Sequence, residues 1–203
     1  MIIKTIGLID YEESLQRMRE FTLRRSQKEE DELWIVEHPP VYTMGLKTKP
    51  EHLPQVRQRI PLVQSDRGGQ ITYHGPGQII IYALLDLRRL KLSVREAVRL
   101  LEQTVINLLL SLGINAIGDE ARPGVYVQGK KIASLGLKIR NGYSYHGVAL
   151  NVDMDISPFE QINPCGYANL SVTQLKDLDV NLSIDEISQR WVDQFLVLFG
   201  DKN

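Results

Sequence analysis

The amino-acid sequence predicts an α+β fold: a hairpin-rich β-sheet with three main helices packed on it. Three observations carry that expectation. Apolar residues recur at helical spacing in three segments, each opened by a capping signal. Short β-branched runs, of which Ile79-Ile80-Ile81 is the densest, separate those segments. Asn141-Gly142 stands between two strand-like runs, a dipeptide that marks tight hairpins because both of its residues accept positive φ.

In chain order, Ile2 to Leu8 reads as a strand. Asp10 and Glu13 follow at capping-box spacing and open a helix with Tyr11, Leu15, Met18 and Thr22 on one face, which frays in Lys28-Glu29-Glu30-Asp31. Leu33-Trp34-Ile35-Val36 is a buried strand stopped by Glu37-His38-Pro39-Pro40, since proline cannot continue a central ladder. Val41 to Gly45 is a second short strand, and Lys47 to Arg59 an exposed loop. The run Ile79 to Leu85 suits a strand buried on both faces.

Ser93 and Glu96 open the second helix, with Val94, Ala97, Val98, Leu101, Val105, Leu108 and Leu112 along its apolar face and Gly113 as its stop. Val125-Tyr126-Val127 leads through Gln128-Gly129 into a strand from Lys131 to Ile139, and Asn141-Gly142 returns the chain from Tyr143 to Val152. A short helix is expected from Ser171. The last helix, capped by Ser183 and Glu186, is expected to bury Ile187, Trp191, Phe195 and Leu198.

The totals narrow the function classes. At 203 residues, one sizeable core and a single domain over 1–203 are expected. A net charge of −1 gives no bulk basicity for nucleic acid. A lone cysteine excludes an internal disulfide and a multi-cysteine zinc site, and fits a reducing compartment. No apolar run approaches the ~20 residues that span a bilayer. A cytoplasmic protein with no membrane partner is the expectation, and no paired His spacing suggests a metal.

Two stretches look chemical. Arg67-Gly68-Gly69-Gln70-Ile71-Thr72-Tyr73-His74-Gly75-Pro76-Gly77-Gln78 crowds glycines where a backbone must turn tightly or approach a ligand closely. It is not a phosphate loop, because it lacks Gly-Lys-Ser/Thr and leads into a strand. Cys165, in Asn163-Pro164-Cys165-Gly166-Tyr167, has a loop setting that suits a nucleophile better than a packing unit. An ordinary thiol, with a pKa near 8.5, needs a partner that raises its thiolate fraction.

Histidine is the default partner. His74 and His146 precede glycines at expected strand ends, His38 closes a strand before two prolines, and His52 lies in a polar loop. Lys130-Lys131 compete with them, because neighbours on a strand face opposite ways and one of the two can point inward. Charged residues also protect an edge strand, so this reading leaves the choice open. Arg67 pairs equally well with an anion or with solvent.

The glycine stretch resembles the defining motif of the octanoyltransferases that start lipoic acid assembly on proteins. The resemblance continues in Glu37-His38-Pro39-Pro40-Val41-Tyr42-Thr43, Pro123-Gly124-Val125-Tyr126 and Lys131-Ile132-Ala133-Ser134-Leu135-Gly136. It extends through His146-Gly147-Val148-Ala149-Leu150-Asn151-Val152 to Ile162-Asn163-Pro164-Cys165-Gly166, so it covers most of the chain in order.

What the resemblance implies is a fold shared with biotin and lipoate protein ligases, a mixed sheet flanked by helices. It implies a ping-pong reaction without a cofactor, in which Cys165 takes octanoyl from octanoyl-acyl carrier protein. The acceptor is a lysine on a lipoyl domain of 2-oxoacid dehydrogenase complexes or on the glycine-cleavage H protein. Lys131 becomes the partner that lowers the Cys165 pKa. Arg67, Gly68, Gly69, Gln70, Ile71, Thr72, Tyr73 and His74, with Ser134, Leu135, Gly136, Gly147, Val148 and Ala149, would line the substrate pocket of a monomer. The alternatives are an ATP-dependent ligase, which needs no nucleophilic cysteine, a non-catalytic binding module for the acyl carrier or the lipoyl domain, and a thioester hydrolase.

Overall fold

The computed structural model describes residues 1–54, 60–162 and 171–200. The strands are β1 (Ile2–Leu8), β2 (Glu32–Glu37), β3 (Val41–Met44), β4 (Leu62–Gln64), β5 (Thr72–His74), β6 (Gln78–Leu84), β7 (Ile117–Gly118), β8 (Gly124–Val127), β9 (Lys130–Arg140) and β10 (Tyr143–Asn151). The helices are α1 (Tyr11–Arg24), α2 (Val94–Ser111) and α3 (Ile184–Gly200). Seven strands form one sheet in the order β1-β2-β6-β10-β9-β8-β7, and β4-β3-β5 form a small second one. In the large sheet only β1 and β2 run parallel, so the sheet is mixed but mainly antiparallel.

Strand β6 is buried along its whole length because its two faces serve two cores. Ile79, Ile81 and Ala83 point to one cluster with Leu101, Val105 and Leu108 of α2 and Ile187, Trp191 and Phe195 of α3. Ile80, Tyr82 and Leu84 point the other way, against Tyr11, Leu15, Met18 and Phe21 of α1. Each such side chain contributes about 1.5–3 kcal/mol by leaving water. Trp191 keeps its indole N–H satisfied on Thr104 Oγ1 at 2.8 Å, which fixes α3 on α2.

The caps follow the residues. Ser93–Glu96 and Ser183–Glu186 both form reciprocal boxes. At α1 the Asp10 carboxylate accepts from Glu12 N and Glu13 N at 2.8 and 3.3 Å, while Glu13 is engaged with Arg17 one turn on.

Four local expectations need correction. Ser171 does not open a helix: Val172 makes a parallel bridge to Lys131, and a 3₁₀ turn follows only at Leu175–Leu178. The backbone groups of Lys131 win that segment because pairing between β9 and β10 has ended at Ala133–Leu150. In α3, Val192 and Phe199 are buried and Leu198 is only half-buried. Val94, in the first turn of α2, is 49% exposed. His52 is buried by a 3₁₀ turn at Pro50–His52 instead of standing in solvent. No helix among the described residues is long and apolar enough to cross a membrane.

Candidate active site

Strand β8 begins at Gly124, opposite Ser134, whereas β9 runs on to Arg140. The outer half of β9 is therefore left with an open side, and the glycine stretch folds against it: Gly68 N–H donates to Leu137 O at 3.0 Å. The same stretch is held from behind by the chain after β3, where Leu46 N–H and Lys47 N–H donate to the carbonyls of Arg67 and Gly69 at 3.0 and 2.9 Å. Between these walls and the first turns of α2 lies a cavity of 590 Å³. That size suits a small acyl group or cofactor fragment.

Arg67, Gly68, Gly69, Gln70, Ile71, Thr72, His74, Lys131, Ser134, Leu135, Gly136, Gly147, Val148 and Ala149 all line the cavity. Tyr73 does not. Strand alternation sends it to the opposite face of β5, where its ring meets Phe159 at 5.5 Å and Tyr42 at 5.6 Å. Gly136 permits the close approach of the two walls, since a Cβ there would stand 3.0 Å from Gly68 O and 3.4 Å from Arg67 Cδ. Cys165 lies outside the described residues, in the chain between Ile162 and Ser171.

The two lysines separate as strand alternation requires: Lys130 is exposed and Lys131 is 2% exposed. Lys131 Nζ donates to Pro123 O at 2.9 Å and stands 5.4 Å from the centre of the Tyr126 ring. Gly124 must be glycine for this, because a Cβ at that position (φ +154°) would collide with the Lys131 stem. The Lys131 backbone is engaged too, its N–H donating to Ser171 O at 2.8 Å and its carbonyl accepting from Thr173 N–H at 2.9 Å.

Arg67 is buried at the cavity wall. Its guanidinium donates to Thr43 O at 2.6 Å, Thr43 Oγ1 at 2.9 Å and Gly68 O at 3.0 Å, and so clamps the glycine stretch to β3.

His38, His74 and His146 belong to a buried aromatic group at the cavity, with His38 and His74 5.8 Å apart, Tyr11 stacked on His74 and edge-on to His38, and Tyr82 beside His38 and His146. His38 Nδ1 donates to Ile9 O at 2.7 Å, so its Nε2 accepts from Tyr82 Oη at 2.6 Å. Burial pushes the His38 pKa down to about 4. Burial, reinforced by His38, holds His74 well below the ordinary range. His74 Nδ1 donates to Gln78 Oε1 at 2.6 Å, and Gln78 continues through Asn151 to Thr173 O.

His146 sits in mid-strand with φ +61°, an uncommon conformation for a non-glycine residue. Its Nε2–H donates to Asp66 Oδ1 at 2.8 Å. Burial pushes Asp66 up, but hydrogen bonds from His146, Tyr145 and Arg19 outweigh it and hold the carboxyl well below the carboxylate range. Burial likewise lowers His146 against the pull of Asp66.

Several lining residues carry no site signal in the sequence. Tyr11, Lys47, Ile80, Tyr82 and Arg122 reach the cavity only through tertiary packing. Pro123 and His146 stand inside quoted motifs, Leu137 directly follows one, and strand register from Asn141-Gly142 places Leu137 and His146 beside Gly136 and Gly147.

The fold is that of the lipoate and biotin protein ligases. The bipartite lipoate protein ligase of Thermoplasma acidophilum, described with its E2 lipoyl domain, superposes with a TM-score of 0.80 at 18% identity, covering 98% of this chain and 83% of that one. The biotin protein ligase of Aquifex aeolicus superposes with a TM-score of 0.61 at 12% identity, covering 99% and 69%.

Residues 10–196 match the family model of the lipoyl protein ligase A/B catalytic domain, and the chain belongs to that family. The octanoyltransferase of Dechloromonas aromatica is 55% identical over 203 residues, 100% of this chain and 98% of that protein. That of Chromobacterium violaceum is 57% identical over 189 residues, 93% and 91%. Within the family this chain is an acyltransferase of the octanoyltransferase kind.

Proposed function

We propose that the chain moves octanoyl from the thioester of octanoyl-acyl carrier protein to a lysine ε-amine of a lipoyl domain, through a thioester on Cys165. The observation that carries this reading is the setting of Lys131, which is buried in the cavity wall with its backbone bonded to Ser171 and Thr173. Those residues follow the Cys165 segment in the chain. The relatives' name supplies the acyl group, and the lipoyl domain named with the T. acidophilum ligase supplies the class of acceptor. The pocket is formed by the lining residues of the glycine stretch, β9 and β10. On this reading residues 1–203 act as one catalytic domain, a cytoplasmic monomer that serves lipoyl domains and the H protein.

The chemistry balances without ATP. The Cys165 thiolate attacks the donor carbonyl, and the carrier leaves as a thiolate that takes a proton from the Lys131 ammonium. The uncharged acceptor amine then attacks the Cys165 thioester, an amide forms, Cys165 leaves as thiolate, and the amine's proton passes to Lys131. A cysteine pKa lowered by about 2 units makes the thiolate dominant near neutrality, which corresponds to about 2.7 kcal/mol. Backbone N–H groups of the glycine stretch or beside Cys165 serve the oxyanion.

The test is transfer from octanoyl-acyl carrier protein to an apo lipoyl domain in the absence of ATP. Octanoylation of the domain, lost when its target lysine is arginine, supports the reading. Modification only with free octanoate and ATP would make the chain a ligase, and release of free octanoate alone a hydrolase.

A further inference from the structure

The buried face of α2 is apolar except at Thr104, which accepts from Trp191, and at Glu102, the one ionisable residue on it. Ala97, Leu101, Val105, Leu108 and Leu109 fill the core, and Glu102 is carried in beside them at 8% exposure. A carboxylate taken from water costs several kcal/mol unless something specific compensates it. Here the compensation comes from the turn that leads into β8. Glu102 Oε1 accepts from Gly124 N–H at 3.1 Å, and its other oxygen lies against Gly118 of β7. The preceding residue in that turn, Pro123, presents the carbonyl that receives Lys131 Nζ.

We infer that Glu102 is a positioning residue for Lys131. It fixes the Pro123–Gly124 turn from the α2 side, and the turn fixes Nζ at the cavity wall. This rests on the reading above, in which Lys131 raises the thiolate fraction of Cys165. Glu102 is not among the residues that line the cavity. The charged groups around its carboxylate are Lys131 from β9 and Asp119 and Glu120 from the turn after β7. Around Lys131 the Tyr126 ring also carries Arg122 at 5.2 Å. Burial pushes Glu102 up, opposed by Gly124 N–H and Lys131, consistent with a carboxylate kept in place by its partners.

The experiment uses the full chain and reads iodoacetamide alkylation against pH, which reports on Cys165 alone because the sequence holds one cysteine. Wild type, Glu102→Ala, Glu102→Gln and Lys131→Ala are compared, with kcat and KM for the octanoyl carrier. Glu102→Ala is expected to raise the midpoint by about one pH unit and lower kcat about tenfold with KM little changed. Glu102→Gln keeps an acceptor oxygen at the same reach and is expected to recover most of both.

A raised midpoint in Lys131→Ala with an unchanged one in Glu102→Ala overturns the positioning role and leaves the Lys131 reading standing. An unchanged midpoint in Lys131→Ala removes that reading and this inference with it. A lower melting temperature in Glu102→Ala without a moved midpoint makes Glu102 merely structural and also overturns the role. If Glu102→Ala does not fold, Glu102→Asp, which withdraws the oxygens by one methylene, takes its place: a raised midpoint supports the role and a wild-type midpoint overturns it.

Discussion

Val172 is bridged in parallel to Lys131, whose N–H and carbonyl are taken by Ser171 and Thr173 at 2.8 and 2.9 Å. The lysine thus does two jobs on two sides. Its backbone anchors the chain that follows the Cys165 segment, while its side chain crosses Gly124 to reach Pro123 O. A substitution of the side chain leaves the backbone pairing untouched, so the chemical role is separable from the structural one.

Lys131→Ala is therefore expected to fold and to lose roughly 10²-fold or more in transfer rate. The pH midpoint of Cys165 alkylation should rise toward that of an ordinary thiol. Lys130→Ala, one residue away on the exposed face, should leave both within twofold, roughly the effect of an exposed substitution far from the site. A large loss in Lys130→Ala would mean that the two lysines are exchanged in this account.

Arg67 is expected to matter for stability as much as for binding. Its guanidinium holds Thr43 and Gly68 together through three hydrogen bonds. Arg67→Ala should cost about 3 kcal/mol, visible as a lower urea midpoint, and should raise KM for the acyl donor by loosening the Gly68 wall. Arg67→Lys should recover only part, because an ammonium cannot reproduce the planar fork.

Acid should destabilise the fold before its carboxylates titrate. His38 is neutral in the folded chain, with a pKa of about 4 against an ordinary 6.5, so the unfolded chain binds the extra proton. Its contribution is intact above the ordinary value and is lost as pH falls from 6.5 toward 4, by about 3 kcal/mol in all. His74 and His146, also lowered, act in the same direction. Asp66, a depressed carboxyl, adds its loss only below the ordinary value of 3.8. Urea midpoints at pH 7 and pH 5 check this, and the difference between them should shrink in His38→Gln.

Much of the architecture is readable from local residues. The capping pairs at Ser93–Glu96 and Ser183–Glu186 locate two helices because both halves of each box lie within one turn. Asn141 and Gly142, at φ +51° and +78°, set the register that pairs Gly136 with Gly147. What local sequence does not carry is any partner supplied from far away. Ser171 looks like a helix start until Lys131 offers it a strand to pair with, and His52 looks exposed until a turn folds it in. Arg67 suits solvent or an anion equally in the sequence, until the fold brings Thr43 and Gly68 oxygens to its guanidinium. Tyr73 belongs to the glycine motif but faces away, a consequence of β5, which a run so rich in glycine does not advertise. Nothing in the sequence singles out Glu102, because its partners at Gly118 and Gly124 come from β7 and β8, later in the chain.

The central claim is a covalent octanoyl–Cys165 intermediate, and intact-protein mass tests it most directly. Wild type and Cys165→Ser are mixed with octanoyl-acyl carrier protein without acceptor and weighed. The account predicts a gain of one octanoyl group on wild type alone, removed by hydroxylamine. No adduct on wild type under conditions where carrier binding is demonstrated, or an adduct that persists in Cys165→Ser, would contradict it.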